Sequence, residues 1–276
     1  MAVTFSVIAR DPVTGELGAG VASAVLAVGR AVPWATAGVG VAVTQSQTRR
    51  GYGSHGLAGI AAGLDPGDVL DTLLNRDSGA LSRQVALLSA DGEIAAHTGA
   101  DCLPAAGHRI GPGYSVQGNM LTSENVLDAM AEAYAYTAAP LGERLIATLE
   151  AGERAGGDLR GRQSAALLVA AAEPAEDPGD GIPIDLRVDD SQDPIAELAR
   201  LLRLQRAFET GDSAALATLT PAGPPDLLAI MGAARRGDLA GAKQALRELR
   251  QQPGWDAWLR ENVRTGKLPY LAELLD

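Results

Sequence analysis

The sequence contains a single cysteine, Cys102, so no internal disulfide can form and no cysteine cluster can hold a metal. Histidine is almost as scarce, with three residues at 55, 97 and 108, too scattered for a zinc site. Aromatic side chains make up only 4% of the chain, so its core has to be filled by Ala, Val, Leu and Ile. Lysine occurs twice, as Lys243 and Lys267, both far along the chain. Acidic residues outnumber basic ones by 34 to 23, a formal net charge of −11. A chain of this balance lacks the clustered Lys and Arg that nucleic-acid phosphates or an anionic membrane surface require, and neither partner is expected. No run of about 20 uncharged apolar residues occurs, and the start lacks the basic and apolar regions of a leader. The expectation is a cytoplasmic protein without metal or cofactor.

What the chain does have is a succession of strand and helix patterns. TFSVIAR and ELGAGVAS read as two strands joined by Asp11-Pro12-Val13-Thr14-Gly15, with Pro and Gly where a turn wants them. GVGVAVTQSQ, from Gly38, is a third strand. Leu57, Ile60, Ala61 and Leu64 fall at helical spacing, and Asp65-Pro66-Gly67 splits that region into two short helices. QVALLSADGEIAAHTG is a hairpin, because Asp91-Gly92 favours a tight turn between two apolar runs. HRIGPGYSVQGNML reads as one further strand. SENVLDAMAEAYAYT and LGERLIATLEAGERAGGD are helical, the first opening with a capping-box-like Ser123. SAALLVAAA is a buried strand, and IPIDLRVDD alternates Ile184, Leu186 and Val188 with charged residues, so one side of it faces water.

Sequential hairpins argue for antiparallel pairing, and the intervening helices must cover sheet faces. An α+β sandwich of two sheets between helices accounts for this order. From about Asp193 the pattern turns helical throughout, with a proline-rich break, TPAGPPD, at 220–226. Two domains are expected, 1–211 and 212–276.

Three stretches together carry a resemblance: TFSVIARDPVTGELGAGVAS, AVGRAVPWATAGVGVAVTQSQTRRGYGSHGLAGIAAG and HTGADCLPAAGHRIGPGYSVQGNML. They resemble a widespread bacterial family of uncharacterised proteins, sometimes mislabelled as pilins and assigned to the N-terminal-nucleophile (Ntn) hydrolase fold. The resemblance spans roughly residues 3–210. It implies a four-layer αββα sandwich, hydrolysis of a small-molecule amide or peptide-like substrate, and association as a homodimer. The segment after 212 resembles one that accompanies many members and has been proposed to bind peptidoglycan fragments; here Trp255 and Trp258 are either its exposed contacts or the core of a small helical domain.

An Ntn enzyme attacks with the side chain of its first residue, and that residue's own α-amine accepts the proton. The family's usual opening exposes a threonine directly after methionine. In this sequence the matching residue is Thr4, preceded by the additional Ala2 and Val3. Two residues of strand span about 6–7 Å, so the amine of Ala2 cannot replace the missing base; a terminal-threonine mechanism needs cleavage between Val3 and Thr4 or a start site that leaves the two extra residues out. The alternative is that Thr4 is simply a β-branched residue suited to a strand start.

Strand alternation places Thr4, Ser6, Ile8 and Arg10 on one face, which makes Ser6 a second hydroxyl beside Thr4 and Arg10 a candidate substrate contact. Asn119 is a candidate oxyanion donor, with Gln45 and Gln117 as further amides set into apolar strands; each can equally satisfy buried backbone groups. His108 is a candidate general base, for Ser6 or for Cys102 as internal nucleophile. His55, with Arg49 and Arg50 ahead of a helix, is a candidate anion contact. Ser23 stands where relatives of this fold often keep an aspartate, and no lysine lies in the sandwich region.

Overall fold

A computed structural model describes residues 4–177, 179–219 and 227–275. The proline-rich break at 220–226 lies outside the described residues, as do Ala2 and Val3. The chain divides into two compact units, 1–199 and 200–276, each with its own core.

The first unit holds two wholly antiparallel sheets. Its strands are β1 (Thr4–Arg10), β2 (Leu17–Ser23), β3 (Pro33–Thr36), β4 (Gly40–Ser46), β5 (Arg83–Ser89), β6 (Ile94–Thr98), β7 (Gly107–Gly111), β8 (Tyr114–Asn119), β9 (Ser164–Ala170) and β10 (Ile184–Val188). One sheet has six strands in the order β10-β9-β2-β1-β8-β7, and the other has four in the order β3-β4-β5-β6. The expected hairpins are present, and the Asp91-Gly92 turn puts Gly92 at φ 99°, which glycine adopts without steric cost.

The stretch expected to be one strand, HRIGPGYSVQGNML, is a hairpin instead: Gly111 pairs with Tyr114 across Pro112-Gly113. The short β3 comes from PWAT, too brief for its period to register. Ser123 does not cap the helix that follows it, since the residue before that helix has helical dihedrals and no side-chain cap bond.

Helices α1 (Gly51–Ala61) and α2 (Pro66–Asn75) pack on the four-stranded sheet. Helices α3 (Asn125–Tyr136) and α4 (Leu141–Arg154) pack on the six-stranded one. Asp65 starts α2 by accepting hydrogen bonds from the backbone N–H of Gly67 and Asp68, with Pro66 in the first turn. The sheets face each other, and strand alternation sorts their side chains. Ile8, Ala19, Val21, Val41, Val43 and Leu88 meet between the sheets. Ala42, Val85 and Leu87 point the other way and meet Tyr52, Leu57 and Leu70 of α1 and α2.

Asp77, just past α2, is a buried electrostatic anchor. Its carboxylate accepts from Arg83 Nε at 2.8 Å and from Tyr52 Oη at 3.0 Å, and Arg49 lies 3.1 Å away. The Arg83 hydrogen bond is the main cause that holds the Asp77 pKa below its ordinary 3.8, against the opposing effect of burial. Burial, followed by the bond to Asp77, pushes the Tyr52 hydroxyl up to about 12. Because the Asp77 pKa is depressed on folding, its stabilisation is present above the unfolded value and lost as pH falls through the folded one. Asp77→Asn is expected to cost about 2 kcal/mol at pH 7, with the gap to wild type closing below about pH 4 in urea titrations.

Beyond Arg200 the described regular structure is helical. It continues α5 (Pro194–Thr210) and adds α6 (Ser213–Leu219), α7 (Leu227–Arg235), α8 (Leu239–Arg250), α9 (Trp255–Arg264) and the short α10 (Ala272–Leu275). Ile230, Leu246, Leu249, Leu259, Leu271 and Leu274 form its core, with Trp255 packed against them. Trp258 is 47% exposed and meets Trp255 edge to face. Among the described residues, no helix of either unit is long and apolar enough to cross a membrane.

Candidate functional site

The inner faces of the two sheets change character along the strands. At one end they are apolar, with Ile8, Val41 and Leu88; at the other, every one of the central strands ends in a polar residue. Because neighbours run antiparallel, the start of β1 lies beside the ends of β2 and β8, and the end of β4 beside the start of β5. Thr4 pairs with Asn119, Gln45 with Gln84, and Ser23 with Ser164. Thr4, Ser6, Gln45, Gln84, Gln117 and Asn119 are all essentially buried.

These side chains form one hydrogen-bonded chain. Ser115 donates to Gln117 at 2.9 Å, Gln117 to Ser6 at 2.7 Å, and Ser6 to Gln45 at 2.7 Å. The Gln45 amide then donates to Gln84 Oε1 at 2.8 Å and to the carbonyl of Thr4 at 3.3 Å. Gln84 is the hub. Its Oε1 also accepts from Asn119 at 2.9 Å, while its amide nitrogen donates to Thr98, Gly107 O and Gly118 O at 3.0, 3.0 and 2.8 Å. A buried network so extensively hydrogen-bonded is rigid, and it fixes where Asn119 and the Thr4 backbone stand.

Thr4 itself is 0% exposed, and its hydroxyl donates to Ser23 Oγ at 3.3 Å. The residue after Ser23, Ala24, donates its backbone N–H to Asp158 at 3.0 Å, and Asp158 is paired with Arg160 at 3.0 Å. A buried carboxylate and its guanidinium partner therefore flank the Thr4 end of the sheet. Two non-glycine residues here have left-handed backbones, Ser46 at φ 67° and Met120 at φ 52°, each directly after a network amide. That conformation costs energy and is held where the surroundings over-determine it, as functional sites commonly do.

Residues 4–198 match the model of a family of unknown function, DUF1028. The chain belongs to this family. The match begins at Thr4 and ends one residue short of the boundary between the two compact units. A crystal structure of another DUF1028 protein, SPO2555 from Silicibacter pomeroyi, is 33% identical, with a TM-score of 0.66 over 74% of this chain and 86% of that one. Anbu, an ancestral β-subunit from Yersinia bercovieri, aligns over 79% of this chain and 99% of its own at 11% identity and a TM-score of 0.36, too low to carry an argument. No curated protein matches the chain.

Of the residues singled out from the sequence, the DUF1028 unit brings Thr4, Ser6, Gln45, Gln117 and Asn119 together. His108 joins only at the far end, through Thr98, 2.9 Å from its Nδ1. Thr98 Oγ1 also accepts from Gln84 at 3.0 Å, which links His108 to the network through a single hydroxyl. Burial, ahead of the nearby His97 and Arg109 charges, pulls the His108 pKa down. His108 is tied to Thr98, and Ser6 is held by Gln45 and Gln117 instead. Cys102 is buried and points at Arg83 O, 3.4 Å away.

Arg10 and His55 stand apart from the cluster. Arg10 shares the face of Thr4, as alternation requires, but six residues of strand put it about 20 Å further along. There its Nε donates to Ala90 O at 2.7 Å. His55 is exposed on α1, across the four-stranded sheet from the interior.

Gln84, Asp158 and Arg160 were missed by sequence reasoning. Gln84 opens the apolar run QVALL, where it reads as a strand border, and Asp158-Leu159-Arg160 reads as a turn between glycines. The usable signal is that the inner-face residue at the same end of successive strands is polar: Ser6, Ser23, Gln45, Gln84, Gln117.

Proposed function

We propose that the DUF1028 unit is an αββα sandwich of the Ntn type and an amidohydrolase for a small amide or peptide-like substrate, with Thr4 as nucleophile once the residues before it are removed. The observation that carries this reading is the position of Thr4. It is the first residue of a central strand and of the family match, with its hydroxyl in a prebuilt polar end of the sandwich. In the intact chain the Thr4 nitrogen is a peptide amide, so cleavage between Val3 and Thr4 supplies the base.

In the proposed reaction Thr4 Oγ1 attacks the substrate carbonyl carbon while the freed α-amine takes the hydroxyl proton. The C–N bond then breaks, the proton passes to the leaving amine, and water hydrolyses the resulting Thr4 ester. Asn119 spends one amide hydrogen on Gln84 and retains the other for the developing oxyanion. Asp158 and Arg160 hold a fixed pair of charges beside Ser23 and take the place of the acid and lysine absent from the strands.

The test is to compare a chain that begins at Thr4 with one shown by intact mass to retain Ala2 and Val3, across a panel of aminoacyl and acyl anilides. Hydrolysis by the first alone supports the proposal; equal hydrolysis by both sinks it. His108→Asn in the Thr4-first chain is expected to change the rate less than about three-fold, because a residue outside the reacting groups contributes no proton transfer, which in general is worth about 10²–10⁴-fold. A loss in that larger range would shift the assignment to an internal nucleophile with His108 as base.

A further inference from the structure

Arg49 and Arg50 are adjacent in sequence, but the structure gives them different tasks. Arg49 is tied to Asp77. Arg50 turns the other way, its guanidinium 5.4 Å from the centre of the Trp34 ring. Trp34 is itself fixed, with its Nε1 donating to Ala31 O at 3.1 Å. The ring also lies so flat on Gly53 that a Cβ there would come within 2.3 Å of ring carbons. Arg50 and Trp34 line a cleft of ≈450 Å³ at the lateral edge of the two sheets, with Arg30, Arg187, Asp185 and Leu168 among its other walls. That volume suits a small-molecule site.

The charges in this cleft do not balance. Arg187 is neutralised by Asp185 through bonds of 2.8 and 2.9 Å. Arg30 and Arg50 are both exposed and meet no carboxylate among the described residues. Most other arginines of this unit are paired: Arg83 with Asp77, Arg109 with Asp128, Arg160 with Asp158, Arg162 with Glu153. Helix α1 begins directly after Arg50 with no acidic residue in its first turn, so its positive end adds to the same field. In a protein of net charge −11, two uncompensated guanidinium groups facing one cleft are a local exception.

We propose that this cleft binds a small di- or trianion, its acidic groups carboxylate or phosphate, between Arg30 and Arg50, with Trp34 holding Arg50 in place. The site is separate from Thr4, three strands away across β9 and β2, and does not depend on the proposed hydrolysis.

Titration calorimetry of the full chain with citrate and with pyrophosphate, at low salt, tests it. The expected result is one site per chain with a Kd below about 1 mM for at least one of them, weakened about ten-fold or more by R30Q and by R50Q. R50K, which keeps the charge but not the planar fork, is expected to fall between wild type and R50Q. R76Q removes an exposed arginine outside the cleft and is expected to change nothing. Binding of citrate alone assigns a polycarboxylate, and of pyrophosphate alone a phosphate. Failure of both to bind by about 10 mM, or equal weakening by R76Q, overturns the proposal.

Discussion

In a chain whose first residue is Thr4, Thr4→Ala is expected to lower amide hydrolysis by at least about 10³-fold, equivalent to roughly 4 kcal/mol of transition-state stabilisation. The size follows from what the substitution removes. Without Oγ1 there is no acyl intermediate, and the amine beside it has no proton to accept. Thr4→Ser keeps both atoms and is expected to remain within about ten-fold of the parent. The pH dependence has a definite sign. The α-amine is a base only when unprotonated, so the rate rises with pH through its pKa, ordinarily about 7.7–8.0. Burial disfavours the ammonium form and moves that midpoint down, so the plateau is expected at or below about pH 8. A rate that stays flat or falls across this interval would contradict the α-amine as base.

The second large effect concerns stability. Gln84→Leu is expected to cost about 3–5 kcal/mol in urea unfolding, because it strands several buried partners at once. The amides of Gln45 and Asn119 lose an acceptor, and Thr98, Gly107 O and Gly118 O lose a donor. Gln84→Glu separates hydrogen bonding from shape. Its carboxylate can still accept from Gln45 and Asn119, but the two glycine carbonyls then face negative oxygen instead of N–H. The folded-state pKa of that glutamate is therefore raised, and the variant is expected to lose stability as pH rises above the unfolded value of about 4.3. Wild-type Gln84 has no such titration. A Gln84→Leu protein as stable as wild type would mean the network is incidental to the fold.

Much of the first unit is legible in its sequence because local rules and tertiary structure agree there. TFSVIAR and ELGAGVAS alternate with period two around a Pro/Gly turn, and they pair as expected, Phe5 opposite Ala22 through Arg10 opposite Leu17. Where the rules carried less information the expectation slipped. PWAT is only four residues long and starts with proline. GPG between HRI and YSV is a turn signal that lost out to the apolar residues on either side. The candidate site was legible in composition and not in geometry. Period two put Thr4, Ser6 and Arg10 on one face, and it could not say that the network occupies only one end of that face. Gln84 lies 39 residues from Gln45 and 35 from Asn119, partners set by strand order and register. Arg50 illustrates the same limit from the other side: adjacency to Arg49 suggested one shared anion contact, whereas the helix start directs the two side chains to different places.

The central claim is that Thr4 acts as a terminal nucleophile, and intact-mass measurement with N-terminal sequencing of an amide-hydrolysing preparation tests it most directly. The account predicts that active molecules begin at Thr4, with Met1, Ala2 and Val3 gone, and that the acyl group of an ester substrate caught by acid quench sits on that residue. Full activity in molecules that retain Ala2 and Val3 would contradict it.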